Sequence, residues 1–181
     1  MKNFLSFIWE IIKIVIIALL IVVPIRTFLF QPFFVRGESM TSAFENGDYL
    51  IIDEISYRFR SPQRGEVIVF KYPNDPSQRY IKRIIGLPGE TVEIKDGKVA
   101  ISNQEESYVL DESAYLPSDI FTSGDKLISL TGNQYFVLGD NRRASADSRS
   151  WGPLNRENVI GRVLLRAWPF TALAKIEAPE Y

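Results

Sequence analysis

The sequence predicts a mainly β protein: an N-terminal transmembrane helix followed by a twisted antiparallel β-sheet, a partly closed barrel, with a small inserted β subdomain. Three observations predict it. A long, predominantly apolar stretch opens the chain. Short runs of strand-forming residues, separated by turn signals, occupy most of the remainder. And 181 residues, 46% hydrophobic and 24% charged, suffice for one modest domain with a buried core plus an appendage.

The opening stretch runs from Phe4 to Ile25. Roughly 22 helical residues span about 33 Å, enough for a hydrocarbon core of about 30 Å. Glu10 and Lys13 interrupt the run; at i,i+3 spacing they pair on one helix face or snorkel near one end. The segment is apolar all round, unlike a core helix with a single buried stripe. A small-x-small cleavage pattern does not follow it, so a retained anchor over residues 1–27 is expected rather than a removed leader. Pro24 ends or kinks the helix. The phenylalanine cluster Phe28–Phe34 suits either a membrane interface or the first strand of a domain spanning 28–181. Flanking charges do not fix the orientation of the anchor.

Strand signals then follow in order. Tyr49–Ile52 comes after the turn residues Asn46-Gly47-Asp48, and Glu66–Tyr72 lies between Arg64-Gly65 and Pro73. Tyr80–Ile85 stops at Gly86. Thr91–Ile94 and Lys98–Ile101 flank Lys95-Asp96-Gly97, a hairpin signal. Gln134–Leu138 and Val159–Leu165 complete the set. Residues 103–132 are more polar and weakly periodic, and read as an insertion.

Composition excludes several chemistries. The chain holds no Cys and no His, which removes disulfides, thiol catalysis and every imidazole-based triad. With 21 basic against 22 acidic residues there is no electrostatic case for nucleic acid as a partner. Proton transfer falls to Lys, Asp, Glu or Tyr.

Three segments carry residues that a plain β-domain does not require. In Gly37-Glu38-Ser39-Met40 a serine beside glycine presents its hydroxyl on a tight bend, as a turn serine also would. In Tyr80-Ile81-Lys82-Arg83-Ile84-Ile85-Gly86-Leu87-Pro88-Gly89-Glu90, strand alternation sets Lys82 between Tyr80 and Ile84 on one face. Such a lysine either guards a sheet edge or is kept neutral by desolvation; burial lowers its pKa by up to about 3–5 units, leaving an amine able to take a proton from a hydroxyl. The third, Gly139 to Arg149, alternates charge over a short reach and suits a loop stapled by internal Asp–Arg pairs, holding Ser145 or Asp147 in place.

These segments, in this order behind an apolar helix, resemble the bacterial type I signal peptidases. The resemblance rests on GESM, RGEVIVF, YIKRIIGLPGE and GDNRRASADSR and covers the anchor and most of residues 35–170. It implies a membrane-bound serine endopeptidase with a Ser–Lys dyad: Ser39 as nucleophile, Lys82 as general base, and Ser145 hydrogen-bonding and orienting the lysine. It further implies Asp147 as the acidic residue of the supporting loop, Arg149 as its ion-pair partner, and Met40 packed beside the nucleophile. The oxyanion hole would use the Ser39 backbone N–H. Some members add a serine hydroxyl where this chain has Gly37, so a second donor here must be backbone or water. The implied substrates are secreted preproteins with small residues first and third before the cut, bound as extended peptides against a β edge. The implied site is the bacterial cytoplasmic membrane, single-pass, with the catalytic domain on the extracytoplasmic side. Its partners would be signal peptides and membrane lipid, and no cofactor or metal is implied; no oligomeric state follows.

The chain departs from the family at Ser42-Ala43-Phe44, where Pro-Thr-Leu is usual; proline at 42 is expected to preserve or raise activity. Two other readings remain. One is a catalytically weak or inactive relative acting as a binding or assembly module, favoured only by Ser42-Ala43-Phe44. The other is the self-cleaving Ser–Lys domain of SOS-type repressors, which would need a DNA-binding region where this chain is hydrophobic.

Overall fold

The computed structural model describes residues 2–24, 30–179 and 181. The N-terminal helix α1 runs over Lys2–Pro24. Its window Ser6–Val23 has a mean hydropathy of 2.6 and buries nothing against the rest of the protein, so it is long and apolar enough to cross a membrane. Phe28 and Leu29, with the expected anchor boundary at residue 27, lie outside the described residues.

Twelve strands follow among the described residues: β1 (Phe30–Phe34), β2 (Tyr49–Asp53), β3 (Val67–Tyr72), β4 (Asp75–Gly86), β5 (Thr91–Lys95), β6 (Lys98–Ser102), β7 (Ser107–Val109), β8 (Lys126–Ser129), β9 (Gln134–Leu138), β10 (Leu154–Asn155), β11 (Val159–Trp168) and β12 (Ala174–Lys175). A short helix, α2, spans Ser148–Trp151. Eight strands form one sheet in the order β1-β2-β11-β3-β4-β9-β10, with β12 on β11; the pairings are antiparallel. Register shifts in β11 and β4 curl this sheet without closing it. The second sheet has the order β7-β6-β5-β8. It takes in β5 and β6 and therefore begins at Thr91, earlier than the polar stretch from Asn103.

Strand β3 shows why the large sheet forms. Its run Val67-Ile68-Val69-Phe70 is buried on both faces, as a continuous β-branched and aromatic run requires. Val67 and Val69 face one core cluster with Met40, Phe44, Leu50 and Ile52. Ile68 and Phe70 face another with Tyr57, Ile84, Tyr135 and Val137. A third cluster, built on Ile85, Val92, Ile101, Phe136 and Leu138, joins the two sheets. Each of these fully buried side chains contributes about 1.5–3 kcal/mol of hydrophobic stabilisation. Asp96 and Gly97, at φ +50° and +78°, make the two-residue turn between β5 and β6 that the Asp-Gly pair predicts.

The first half of β4, Asp75–Arg79, carries Pro76 and polar residues and reads as loop; it becomes strand because it continues the β3–β4 hairpin past the core. β7 and β8 were hidden for a similar reason. Their strand order is imposed by pairing with β6 and β5 rather than by their own composition. Trp168 and Phe170 are exposed, which removes them from the core. Phe34, Tyr49 and Trp168 lie in one register row across β1, β2 and β11, with Phe34 on Tyr49 and Trp168 on Phe170 edge to face at 4.8 Å.

Candidate active site

Ser39 sits on a turn that begins where β1 leaves the sheet. Gly37, at φ +89°, lets the chain reverse, and its N–H donates to Asn46 Oδ1 at 3.0 Å. Beyond Ser39 the turn is fastened from below. Met40 and Phe44 are each 1% exposed, and the Met40 carbonyl accepts from the N–H groups of Ala43 and Phe44 at 3.0 and 2.8 Å. Burying Met40 and Phe44 roots the turn on the C-terminal side of the serine.

Lys82 enters from the middle of β4, paired with Ile68 of β3, and is 3% exposed. Its Nζ lies 2.7 Å from Ser39 Oγ and 2.8 Å from the Ile81 carbonyl, with the Tyr80 ring centroid at 5.3 Å. Burial strips water from the ammonium form and brings the amine down to about 8; Asp147 and Asp140 oppose that shift without cancelling it. A Lys82 amine that has lost its proton is within hydrogen-bonding reach of the Ser39 hydroxyl.

The third segment is the loop after β9. Gly139 packs against the serine turn so tightly that a β-carbon would overlap Ser145 and the Ser39 carbonyl. Asn141 clasps the same turn: its N–H donates to the Ser39 carbonyl at 3.1 Å and its Nδ2 to the Glu38 carbonyl at 3.0 Å. Asp147 is fully buried and caps α2. It accepts from Arg149 Nε and Nη2, both at 2.8 Å, and from the Gly139 N–H at 3.1 Å. Burial alone would raise its carboxyl; the Arg149 pairing and the Gly139 N–H outweigh burial and hold it below the usual range.

Three features differ from expectation. Ser145 does not hydrogen-bond Lys82. The amine's partners are Ser39 and the Ile81 carbonyl, which its own strand supplies, while Ser145 Oγ is buried against Gly139 and beside the Asp147 carboxylate, which it helps hold low. Ser42 has φ +106°, which proline's ring, fixed near −65°, cannot adopt; a proline there does not fit this turn. Nor are the loop's ion pairs all internal. Only Asp147–Arg149 is; Asp140 grips Arg83 of β4 at 2.9 and 2.6 Å, and Arg142 reaches Glu112. Sequence reasoning missed the Asp140–Arg83 pair, Asn141 and Gly139 as parts of the site. Gly-Asp-Asn directly after an apolar strand was their only signal.

An open cleft of about 670 Å³ runs from Ser39 and Lys82 between two strands. Phe33 and Phe34 of β1 form one wall, Gln78–Ile81 of β4 the other, with Ala144 and Ala146 beside the serine. Both walls present free strand edges. β1 ends the sheet, and β9 pairs with β4 only from Arg83 onward.

An alcohol thus lies against a buried amine at the head of an open cleft between two strands. Comparison with known proteins gives the family. Residues 8–168 match the model described as "Signal peptidase, peptidase S26", and the chain belongs to that family. Signal peptidase I of Leptolyngbya laminosa is 38% identical over 178 residues, covering 93% of this chain and 83% of the relative. Probable signal peptidase I-1 of Synechocystis is 38% identical over 174 residues, covering 91% and 84%. The solved structure of a signal peptidase I from Enterococcus faecalis shares 33% identity, covers 57% of this chain and 97% of that one, and superposes with a TM-score of 0.47.

Proposed function

We propose that this protein is a membrane-anchored endopeptidase that removes N-terminal signal peptides from secreted preproteins after a small-x-small motif. Ser39 is the nucleophile and Lys82 the general base. The single observation that carries this reading is the 2.7 Å approach of Ser39 Oγ to a lysine amine that is buried and held at about 8.

The substrate chain enters extended between β1 and β4, adding backbone hydrogen bonds to either free edge. The neutral Lys82 amine takes the Ser39 proton as Oγ attacks the scissile carbonyl carbon. Charge moves to the carbonyl oxygen, which the Ser39 backbone N–H faces in the manner the family resemblance implies. The ammonium then returns its proton to the leaving amine as the C–N bond breaks, leaving an ester on Ser39. Neutral again, Lys82 takes a proton from water as that water attacks the ester carbon, and returns it to Ser39 Oγ as the acyl C–O bond breaks, releasing the acid and restoring the free enzyme. Asp147, braced by Arg149, holds Gly139 against the serine turn, Met40 roots the turn in the core, and Gly37 permits its reversal. Ser145 packs beneath. Exposed Phe34, Trp168 and Phe170, with half-buried Tyr49 between them, adjoin the β1 wall of the cleft and suit contact with membrane lipid beside the anchor, on the extracytoplasmic side where signal peptides emerge.

The test is cleavage of a synthetic preprotein peptide with alanine first and third before the cut. Ser39→Ala and Lys82→Ala should each abolish cleavage while the melting transition of the domain persists. Normal cleavage by either variant would overturn the dyad.

A further inference from the structure

The turn Glu112–Leu116, between β7 and β8, lies outside the cleft lining yet touches all three segments that carry the dyad. The Glu112 carboxylate receives Arg142 Nη1 at 2.9 Å and Nη2 at 2.5 Å. That guanidinium is completely buried, and its Nε donates to the Gly139 carbonyl at 3.1 Å. The Tyr115 ring lies 4.2 Å from the guanidinium of Arg83, the residue after Lys82 and the partner of Asp140. Finally, the Tyr115 carbonyl accepts from the Ser42 hydroxyl at 3.3 Å, within the serine turn.

The turn is itself rigid. Its N–H groups at Tyr115 and Leu116 donate to the Glu112 carbonyl at 3.2 and 2.9 Å, and Tyr115 Oη donates to Glu112 Oε1 at 2.6 Å. Tyr181 Oη donates to Tyr115 Oη at 3.1 Å from the far end of the chain.

Sheet pairing ties β4 to β9, but no strand pairing reaches the Ser39–Ala43 turn directly. Asn141 and Gly139 clasp that turn from the β9 loop, and the Glu112–Leu116 turn braces that loop, β4 and the serine turn together; a dyad works only when its geometry is kept to about 0.5 Å. We propose that the Glu112–Leu116 turn is a positioning element: Glu112 and Tyr115 fix the distance between Ser39 and Lys82 and keep water from the amine, without touching substrate. The proposal rests on the dyad reading above. Loosening the turn frees Arg142 from Glu112 and takes the Tyr115 ring off Arg83, so that the β9 loop and the serine turn drift from β4 and water reaches Lys82. Its pKa rises toward the ordinary lysine value, so that less of the neutral base is present near neutral pH.

The experiment uses the full chain in detergent micelles with the alanine-x-alanine peptide, and measures kcat, KM and the pH profile. Tyr115→Leu should lower kcat at pH 7 by about tenfold, leave KM within about twofold, and move the acid limb of kcat/KM up by about one unit. Tyr115→Phe keeps the ring on Arg83 and should restore the limb. Glu112→Gln should move it in the same direction, and it carries the test if Tyr115→Leu does not fold. Variants that melt like the parent but leave kcat and the acid limb in place, or that raise KM alone, overturn the proposal. Activity surviving Lys82→Ala would instead sink the dyad; activity lost there, with an unmoved limb in Tyr115→Leu and Glu112→Gln, sinks only the positioning turn.

Discussion

Replacing Lys82 by methionine separates the lysine's cost to the fold from its use in catalysis. In the unfolded chain the amine has its ordinary value of 10.5, and in the folded protein about 8. The folded state therefore binds fewer protons between these values, and stability rises with pH across that window. The difference of about 2.5 units corresponds to about 3 kcal/mol, present as a penalty below pH 8 and relieved by pH 10.5. Methionine fills a similar volume and has no proton to lose. Urea unfolding of both proteins in micelles, followed by tryptophan fluorescence at half-unit steps from pH 7 to 11, isolates the effect, because other titrating groups are common to both. Parent stability should climb by about 3 kcal/mol relative to Lys82→Met over this range, about 6–12 °C in Tm for a domain of this size. Lys82→Met should be inactive throughout. A stability difference that stays flat from pH 7 to 11 would falsify the claim that the fold holds this amine neutral.

Other outcomes follow from the same geometry. The parent's kcat/KM should rise about tenfold from pH 7 to 9, as the neutral fraction of an amine at about 8 climbs from near one-tenth to near nine-tenths; a profile level over that range excludes the titrating base. Gly139→Ala should cost about 2 kcal/mol or more in unfolding free energy and most of the activity, since its β-carbon overlaps Ser145 and the Ser39 carbonyl. Asp140→Asn strands a buried guanidinium and should destabilise by about 3–5 kcal/mol in denaturant titration. Ser42→Pro should destabilise by about 3 kcal/mol or more, because φ +106° is closed to proline, and a melting temperature at or above the parent's would show that the turn differs.

Local chemistry made much of this protein readable from its residues. The apolar all-round run of α1, the β-branched burst of β3 and the Asp-Gly hairpin each depend on neighbours in the chain, and each is where the sequence places it. The pairing of Ser39 with Lys82 was suggested by family resemblance, and by the alternation that turned Lys82 toward Tyr80. What the residues did not reveal depends on contacts distant in sequence. Asp75–Arg79 and Lys126–Ser129 are strands only because a partner strand lies beside them. Arg83 meets Asp140 across 57 positions, and Arg142 meets Glu112 across 30. Ser145, placed by motif on the lysine, makes no hydrogen bond to it in the fold, where the amine meets Ser39 and the Ile81 carbonyl. Period and turn chemistry are short-range and therefore legible in a string of residues. The environment that lowers an amine's proton affinity is assembled from distant segments, and it exists only once they are folded together.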